Sequence, residues 1–465
     1  MLFSSLEFLY LFLPLTAILY FICPVGKNHV LLVASLVFYG LAQPEYLPLM
    51  LAVCLVDYAA GLAVSVQMAK GHTRGADIAV TFAVASNILC LFIFKYLDAL
   101  LSFAGVTPVG IELPPGISFY TFQAMSYVID VRRRCAEAQK NPLTFITYVS
   151  LFPQLVAGPI VRYCEIDGAL KKRSHSVAMC ADGLRLFCVG LAKKMILANS
   201  AGEQWELLAS YSKTAPSTLG AWLGVIFFAF QIYFDFSGYS DMARGLGRIF
   251  GFEFPENFRY PYIANSITDF WRRWHITLSS WFREYVYIPL GGNRRGKGRM
   301  YLNLFITWLL TGIWHGASFN FLLWGLYFFA ILAMEKAFGL KLLQKLPSLL
   351  RHAYALFFIL VGWLIFSCDG MLDASEGVRY LGQLFGIGCA GATNDALYEL
   401  YRNLPLLLVM AIGSTPLPAT LARRVAEKAP LTARALNCGL AVISLAVSTF
   451  YLADSGYNPF LYFRF

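Results

Sequence analysis

The sequence has very little charge for its length. Of its 465 residues, 14% are Asp, Glu, Lys or Arg, whereas 58% are hydrophobic. Soluble proteins usually carry about 25% charge, so the composition excludes an ordinary soluble protein and predicts a membrane protein with many spans. The net charge of +10 comes from short Lys and Arg clusters between apolar runs. That pattern is typical of cytoplasmic loops and does not indicate nucleic-acid binding.

Common catalytic motifs are also absent. The ten cysteines form no CxxC pair, and several lie inside apolar stretches, so we interpret them as small buried hydrophobic residues. The sequence contains no GxSxG nucleophile elbow, no HExxH zinc motif, no Walker lysine loop and no NHxxxxD acyltransferase box. The apolar N-terminus has no basic segment before it and further spans follow, so it does not resemble a signal peptide.

Apolar segments recur along the whole chain and predict an all-α polytopic membrane protein with about a dozen transmembrane, re-entrant and interfacial helices. The segments cover residues 6–23, 29–42, 46–68, 77–96, 116–130, 142–160, 178–198, 218–236, 301–317, 319–334, 352–367, 401–413 and 436–452. The polar stretch 370–400 is predicted to be a surface loop. Since no linker divides the chain, we predict a single membrane domain over residues 1–465, with its catalytic core at about 231–325.

The positions of basic residues indicate an orientation. Lys27 follows the first apolar segment, Lys70 and Arg74 follow the third, and 132–134 follow the fifth. The loops after the second and fourth segments contain no Lys or Arg. Because Lys and Arg are enriched in cytoplasmic loops, this alternation predicts an extracytoplasmic N-terminus, with the assignment extending to residue 141.

Polar residues are concentrated between residues 231 and 320. Asp235 and Asp241 follow an apolar run, so each either pairs with Arg244, Arg248 or a helix N-terminus, or lines a polar site. Carboxylates inside a membrane are costly, which makes both alternatives more favourable than an isolated charge.

Residues 267–288 show helical periodicity, because apolar side chains recur at steps of three or four and the arginines lie off that stripe. The pattern predicts one amphipathic helix at the membrane surface, capped by Thr268 or Asp269. His275 falls at the edge of the stripe. It either makes a structural hydrogen bond or contributes to a site.

A basic segment comes next in the chain. Arg294, Arg295 and Lys297 follow two glycines and precede the next span. They form either a positive-inside cytoplasmic loop or a binding site for the phosphates of a nucleotide-like donor.

His315 lies in a stretch without charge that runs from residue 300 to residue 334. A helix from Arg299 to His315 rises roughly 24 Å, and the hydrocarbon core is about 30 Å thick, so the imidazole is predicted to lie deep in the membrane. Intramembrane ionisable residues are functional candidates. Burial keeps an imidazole neutral, as a general base requires. Gly312 and Gly316 have the GxxxG spacing that lets another helix approach closely.

Several stretches resemble motifs of the membrane-bound O-acyltransferase (MBOAT) family. The two central motifs are matched by "DFWRRWHITLSSWFREYVYIPLGGNR" and "TGIWHGASFNFLLWG". "PPGISFYTFQAMSYVIDV", "FPQLVAGPIVRY" and "FDFSGYSDMARGLGRIFGFEFPENFRYPY" resemble the bacterial branch, which includes alginate O-acetylase-like proteins and D-alanyl-lipoteichoic acid exporters. The ending "NPFLYFRF" is similar too, and the motifs cover nearly the whole chain in order.

The resemblance implies a site and a fold. It implies that His315 is the catalytic residue, that His275 is the residue of the other motif, and that the helices surround a central tunnel. We predict substrate contacts for residues within or beside these motifs, namely Asp269, Arg273, Asn293, Arg294, Arg295, Lys297 and Trp314.

The resemblance also implies an O-acyltransferase, with acetyl as the expected acyl group, in the bacterial inner membrane. The expected donor is a cytoplasmic thioester, acetyl-CoA or an acyl-carrier protein, acting as a substrate, and no bound cofactor or metal is expected. The acceptor would be an extracytoplasmic polysaccharide such as alginate, reached through a periplasmic esterase-like O-acetyltransferase partner. Two alternatives remain open: a D-alanyl transfer protein that uses an acyl-carrier protein, and a proton-coupled transporter. No inverted repeat supports the transporter.

Overall fold

The computed structural model describes residues 1–156, 158–368, 374–454 and 456–459. Regular structure in these ranges is helical, with one isolated bridge between Ser217 and Ala390. This confirms the predicted all-α class. The helices up to residue 198 are Phe8–Phe12, Leu13–Ile22, Lys27–Gly40, Pro44–Tyr46, Leu47–Ala69, Thr73–Lys95, Leu97–Phe103, Ile117–Arg132, Pro142–Ser150, Phe152–Leu155, Tyr163–Lys171, Val177–Ala192 and Lys193–Ala198. The later ones are Asn199–Thr214, Thr218–Ile249, Pro261–Ile263, Ile267–Trp271, Ile276–Phe282, Arg283–Tyr287, Gly296–His315, Phe319–Met334, Glu335–Gly339, Leu340–Leu343, Ser348–Ser367, Ala374–Leu384, Asn394–Gly413, Leu417–Lys428 and Pro430–Asp454.

Several helices are long and apolar enough to cross a membrane. Within the described ranges there are six: Pro44–Ala69, Thr73–Lys95, Thr218–Ile249, Phe319–Leu343, Ser348–Ser367 and Pro430–Asp454. Asn394–Gly413 and Leu417–Lys428, bent by 64° at their junction, make a seventh if they form one span. The chain is therefore a polytopic membrane protein, as its hydropathy predicts.

Helix contacts divide the chain into two units. The first contains residues 1–191 and 239–255, and the second contains 192–238 and 256–465. The single domain over residues 1–465 stays a prediction.

In the first unit, polar groups join the helices Leu47–Ala69 and Thr73–Lys95. Asn87 Nδ2 donates to both carboxylate oxygens of Asp57, at 2.8 and 3.0 Å, and both side chains are buried. A buried carboxylate needs such a donor, because leaving it unpaired in a membrane helix is expensive.

In the second unit, Gly296–His315 and Phe319–Met334 form a tight helical hairpin. A Cβ on Gly312 would lie 2.5 Å from the carbonyl oxygen of Phe321 and 3.4 Å from the Cα of Gly325. The hairpin can close only because both positions lack a side chain. This confirms the predicted close approach at Gly312, whereas Gly316 is the C-cap residue of the helix and faces the Phe321 ring instead of a helix backbone.

Asp235 and Asp241, the two aspartates that follow an apolar run, are both ion-paired. Lys194 Nζ lies 2.8 Å from Asp235, and both side chains are almost fully buried. Asp241 pairs with Arg244 at 3.5 Å. The first partner differs from the predicted Arg244 or Arg248, because a lysine from another helix reaches Asp235.

The predicted surface loop at 370–400 is wrong over much of its length. Residues 369–373 lie outside the described residues, but Ala374–Leu384 is helical. Tyr380 and Leu384 are buried, and the Tyr380 hydroxyl donates to the carbonyl of Ala221 at 3.1 Å. The helix also carries polar residues such as Glu376 and Arg379, which is why its composition suggests a loop.

Candidate functional site

The amphipathic segment 267–288 is not the one continuous helix predicted, because it is broken at His275. Helix Ile267–Trp271 ends before it and helix Ile276–Phe282 begins after it. His275 itself has a left-handed backbone, with φ of 43°. Few residues other than glycine adopt this conformation. It costs about 1–3 kcal/mol, and such strain is concentrated at functional sites.

Asn257 holds His275 in this conformation. Its Oδ1 accepts hydrogen bonds from His275 Nδ1 at 3.1 Å, from the Thr277 amide at 3.2 Å and from the Thr277 hydroxyl at 3.0 Å. An amide oxygen can only accept, so Nδ1 carries the ring proton and Nε2 carries the lone pair of the neutral ring. His275 lies outside the candidate spans, and burial lowers its pKa to about 3. The ring is therefore neutral near pH 7.

Glu335 anchors the start of the same segment. Its buried carboxylate accepts from the amides of Ile267 and Thr268, at 2.7 and 2.8 Å, and from the Thr268 hydroxyl at 2.6 Å. Ser266 Oγ accepts from the Asp269 amide at 3.0 Å, so Ser266 is the capping side chain and the predicted caps, Thr268 and Asp269, are wrong. A carboxylate at a helix N-terminus satisfies amides that the helix leaves unbonded.

His315 is the last residue of helix Gly296–His315 and is buried. Its ring lies among aromatic side chains, with centroid distances of 5.0 Å to Trp324, 5.2 Å to Phe366 and 4.9 Å to Trp314. The carbonyl end of a helix favours a cation, so the position stabilises an imidazolium that forms when the ring takes a proton.

The two histidines line the same cavity, which has a volume of about 290 Å³. Its apolar wall includes Trp271, Trp274 and Trp308. The exposed cations Arg272, Arg283 and Lys336 also line it and mark its open side, and none of the described lining residues is Asp or Glu. An apolar pocket with a few convergent polar groups is the usual form of a small-molecule site. This one favours a ligand with an anionic part.

Asn293 is the one predicted substrate contact that lies in the cavity wall. Its Oδ1 accepts from Lys336 Nζ at 3.0 Å and from the Tyr287 hydroxyl at 2.5 Å. Lys336 makes no ion pair with any carboxylate of the described chain. Its charge is therefore available to an anionic ligand.

The other predicted contacts lie outside the described lining. Asp269 and Arg273 pair with each other at 2.9 Å. Trp314 packs against His275, with ring centroids 6.3 Å apart, and so contacts a residue of the cavity wall without lining the cavity itself. The predicted basic contacts are exposed: Arg294 and Arg295 directly precede helix Gly296–His315, and Lys297 lies in its first turn.

Three cations of the cavity wall were not predicted from the sequence as site residues, namely Arg272, Arg283 and Lys336. Each is an exposed cation, Arg272 at the C-cap of helix Ile267–Trp271 and the other two within helical turns, and in the sequence each looks like a solvated side chain. For Arg272 the sequence holds a weak indication of a site, because this residue directly follows Trp271 of the aromatic stripe.

A family model described as MBOAT, membrane-bound O-acyltransferase family, matches residues 49–372. The chain belongs to the membrane-bound O-acyltransferase family. It is 36% identical to "Probable alginate O-acetylase AlgI" of Pseudomonas putida over 492 aligned positions, covering 100% of both chains. It is 32% identical to "Peptidoglycan O-acetyltransferase" of Helicobacter pylori, covering 86% of this chain and 84% of the relative. It is 27% identical to "Teichoic acid D-alanyltransferase" of Bacillus subtilis, covering 68% of this chain and 85% of the relative.

Membership of this family confirms two predictions, that the chain resembles the bacterial alginate O-acetylase-like proteins and that it is an O-acyltransferase. A transporter finds no support among these relatives. The matched residues include His275, His315 and the whole described lining of their cavity.

Proposed function

We propose that the protein passes an acetyl group from a cytoplasmic thioester across the bacterial inner membrane, for O-acetylation of an extracytoplasmic polysaccharide. The observation that carries the proposal is the shared cavity, in which two buried imidazoles and three exposed cations line the same space. Neutral imidazoles suit proton transfer, and cations suit the phosphates of an activated donor.

The proposed donor is acetyl-CoA or an acetylated acyl-carrier protein, and it is consumed as a substrate. Its phosphate groups would contact Lys336 and Arg272 on the open side of the cavity, with Asn293 fixing the lysine. Its apolar thioester arm would lie along the tryptophans. No resident metal or cofactor takes part in this proposal.

In the proposed reaction, an acceptor hydroxyl attacks the thioester carbonyl. His315 takes the hydroxyl proton while the new carbon–oxygen bond forms. The carbon–sulfur bond then breaks, and the sulfur leaves as a thiol after taking that proton from His315. General base catalysis contributes about 10²–10⁴-fold, and most of the remaining acceleration comes from holding the two substrates in line.

The proposed role of His275 is to orient the acceptor. Because Asn257 accepts from Nδ1, the neutral ring presents Nε2 as a hydrogen-bond acceptor. It can therefore receive a hydroxyl or amide proton from a substrate. It cannot donate to the thioester carbonyl, so its surroundings favour orienting a substrate over polarising that carbonyl.

The relatives support a polysaccharide acceptor. Two of them are named for acetylation of alginate and of peptidoglycan, which lie outside the cytoplasm. A periplasmic esterase-like partner would complete the transfer to the polymer. In this arrangement the N-terminus is extracytoplasmic, as the basic loops predict.

The second candidate is D-alanyl transfer from an acyl-carrier protein. The relative of Bacillus subtilis named as a teichoic acid D-alanyltransferase favours it, although the identity is lower. Both candidates use the same cavity and the same chemistry on a thioester, and they differ in the acyl group.

Mass spectrometry of cell-surface polymers tests the proposal. Deleting the gene should remove O-acetyl esters and leave D-alanyl esters unchanged, and the wild-type gene should restore them while His315→Gln should not. Loss of D-alanyl esters alone would favour the second candidate. No change in either ester would contradict both.

A further inference from the structure

The first unit contains a larger cavity, of about 450 Å³, that shares no residue with the acyl-transfer cavity. It lies at the start of helix Lys27–Gly40, the start of helix Pro142–Ser150 and the segment 169–175. Its charged lining residues are Lys27, Lys171 and Arg173, and the described wall contains no Asp or Glu. The cavity is therefore positively charged.

Arg173 is half-buried and has only neutral partners. It donates to Asn28 Oδ1 at 2.7 Å and to the Tyr20 hydroxyl at 3.1 Å, and its guanidinium lies 4.6 Å from the centre of the Phe252 ring. No carboxylate pairs with it in the ranges that the structure describes. Arginine removed from water is almost always paired with an anion. The charge of Arg173 is therefore available to an anionic ligand.

Lys27 is a second cation of the cavity wall that has no carboxylate partner among the described residues. Its amine lies 5.0 Å from the centre of the Tyr20 ring, and it forms no ion pair within the described part of the chain. Lys171 is different, since Asp167 pairs with it at 2.7 Å. Lys27 also begins its helix, where the positive end of the macrodipole adds to the attraction for an anion. Arg173 and Lys27 therefore line the same cavity, and neither is paired with a carboxylate of the described chain.

Exposed apolar side chains lie next to this positive cavity. Phe21, Ile22 and Val25 directly precede the Gly26–Lys27 wall and are 46%, 72% and 81% exposed. In a membrane protein, apolar surface beside basic residues is typical of the boundary between acyl chains and headgroups. A phospholipid has the matching chemistry, a phosphate joined to apolar chains.

We propose that this cavity binds a phosphate group, with Arg173 and Lys27 as its charged contacts and Asn28 holding the guanidinium in place. The apolar surroundings favour the headgroup of an anionic phospholipid as the source. A soluble phosphate is the other source of the same chemistry. The proposal is independent of the acyl-transfer reaction, because none of its residues belongs to that cavity.

Titration calorimetry on the purified full-length protein in detergent tests the proposal. The probes are dihexanoyl-phosphatidylglycerol and inorganic phosphate. Arg173→Gln should weaken binding of the lipid roughly ten- to hundredfold, because it removes a charge-assisted hydrogen bond. Lys27→Gln should weaken it several-fold, and Arg173→Lys should recover part of the loss. Lys172→Gln is the matched control, since this exposed neighbour lies outside the cavity wall.

The possible outcomes distinguish a lipid headgroup from soluble phosphate and test whether the cavity binds either. Lipid binding that depends on Arg173 and Lys27 but not on Lys172 supports the headgroup source. Binding of inorganic phosphate with the same dependence supports a soluble source. No binding of either probe, or equal binding by all variants, overturns the proposal. Lys27→Gln keeps the test valid if Arg173→Gln does not fold, because the Lys27 side chain makes only ring contacts among the described residues.

Discussion

The two histidines of the cavity have different surroundings, and these surroundings favour different roles in the reaction. His275 is held by a side-chain amide through Nδ1 and lies on strained backbone. His315 lies at the carbonyl end of a helix, inside a group of aromatic rings. Both rings are buried, but the carbonyl end of a helix favours a charged imidazole at His315, whereas His275 is the N-cap residue of helix Ile276–Phe282, whose positive end disfavours one. A base that must become charged is better placed at His315.

The neutral state of His275 predicts how acid affects stability. The unfolded chain protonates this residue below about pH 6.5, whereas the folded protein keeps it neutral down to a pKa of about 3. Between these values the unfolded state binds more protons, so stability is complete above about pH 6.5 and falls as the pH falls, by up to about 1.4 kcal/mol per unit.

His275→Asn should reduce that acid sensitivity, because asparagine tolerates a left-handed backbone and does not titrate. Thermal unfolding in detergent from pH 7 to pH 4.5 measures the effect. The melting temperature of the variant should fall less steeply than that of the wild type. His29→Gln, at an exposed position of the first unit, is the control. Parallel curves for wild type and His275→Asn would show that burial of this ring does not couple to folding.

Lys336 is expected to bind the donor. Lys336→Gln should raise the apparent KM for acetyl-CoA roughly two- to tenfold, a modest factor because the amine is exposed and screened, and should leave kcat nearly unchanged. Lys341→Gln, exposed and outside the cavity wall, should change neither. Steady-state kinetics compares both with the joint replacement of Arg294, Arg295 and Lys297 by Gln. A KM raised only by the joint replacement would move the donor site to the following loop.

At the scale of elements, the hairpin that carries His315 depends on glycine. Gly312 lies three residues before His315 and meets the backbone of the paired helix at Phe321. Any side chain at this crossing pushes the helices apart and shifts the imidazole relative to the rest of the cavity.

Gly312→Ala should therefore destabilise the protein by about 1–3 kcal/mol and lower the transfer rate. Gly298→Ala, in the same helix but with nothing within 4 Å of the added Cβ, should be neutral or slightly stabilising. Thermal unfolding and transfer rates of the two variants provide the comparison. Equal behaviour would mean that the hairpin relaxes without cost.

The long apolar helices were predictable because hydropathy alone determines them. The break at His275 was not predictable, because it depends on Asn257, which is not a neighbour in the sequence. The side-chain oxygen of Asn257 accepts hydrogen bonds from both His275 and Thr277. Helix Ala374–Leu384 was missed for a related reason. Its buried face becomes apparent only when its packing is known, through contacts such as Tyr380 with Ala221.

For the site, the motifs pointed to both histidines, and the structure places them in the wall of one cavity. The cations of that wall were not singled out, since an exposed arginine has the same sequence signal whether it faces a ligand or solvent. Glu335 was also missed. Its role depends on the approach of Ile267 and Thr268, which the sequence does not reveal.

At the scale of the whole molecule, the proposed reaction has a direction. In the proposed reaction the donor comes from the cytoplasm and the polymer lies outside, so the buried imidazole of His315 would act where two substrates from opposite faces meet. The composition fits this task, because only 14% of the residues are charged. Among the described residues, buried charges are ion-paired, as Lys194 and Asp235 are, or accept hydrogen bonds from neutral donors, as Asp57 and Glu335 do.

The most direct measurement is transfer of labelled acetyl from acetyl-CoA to polymer in membrane vesicles from producing cells. Donor supplied at the cytoplasmic face should label the polymer, and His315→Gln should lower the rate by at least about 100-fold at unchanged protein level and melting temperature. His352→Gln, at a half-buried histidine outside the cavity wall, should keep its rate. Labelling by His315→Gln within tenfold of the wild type would contradict the assignment of His315 as the base.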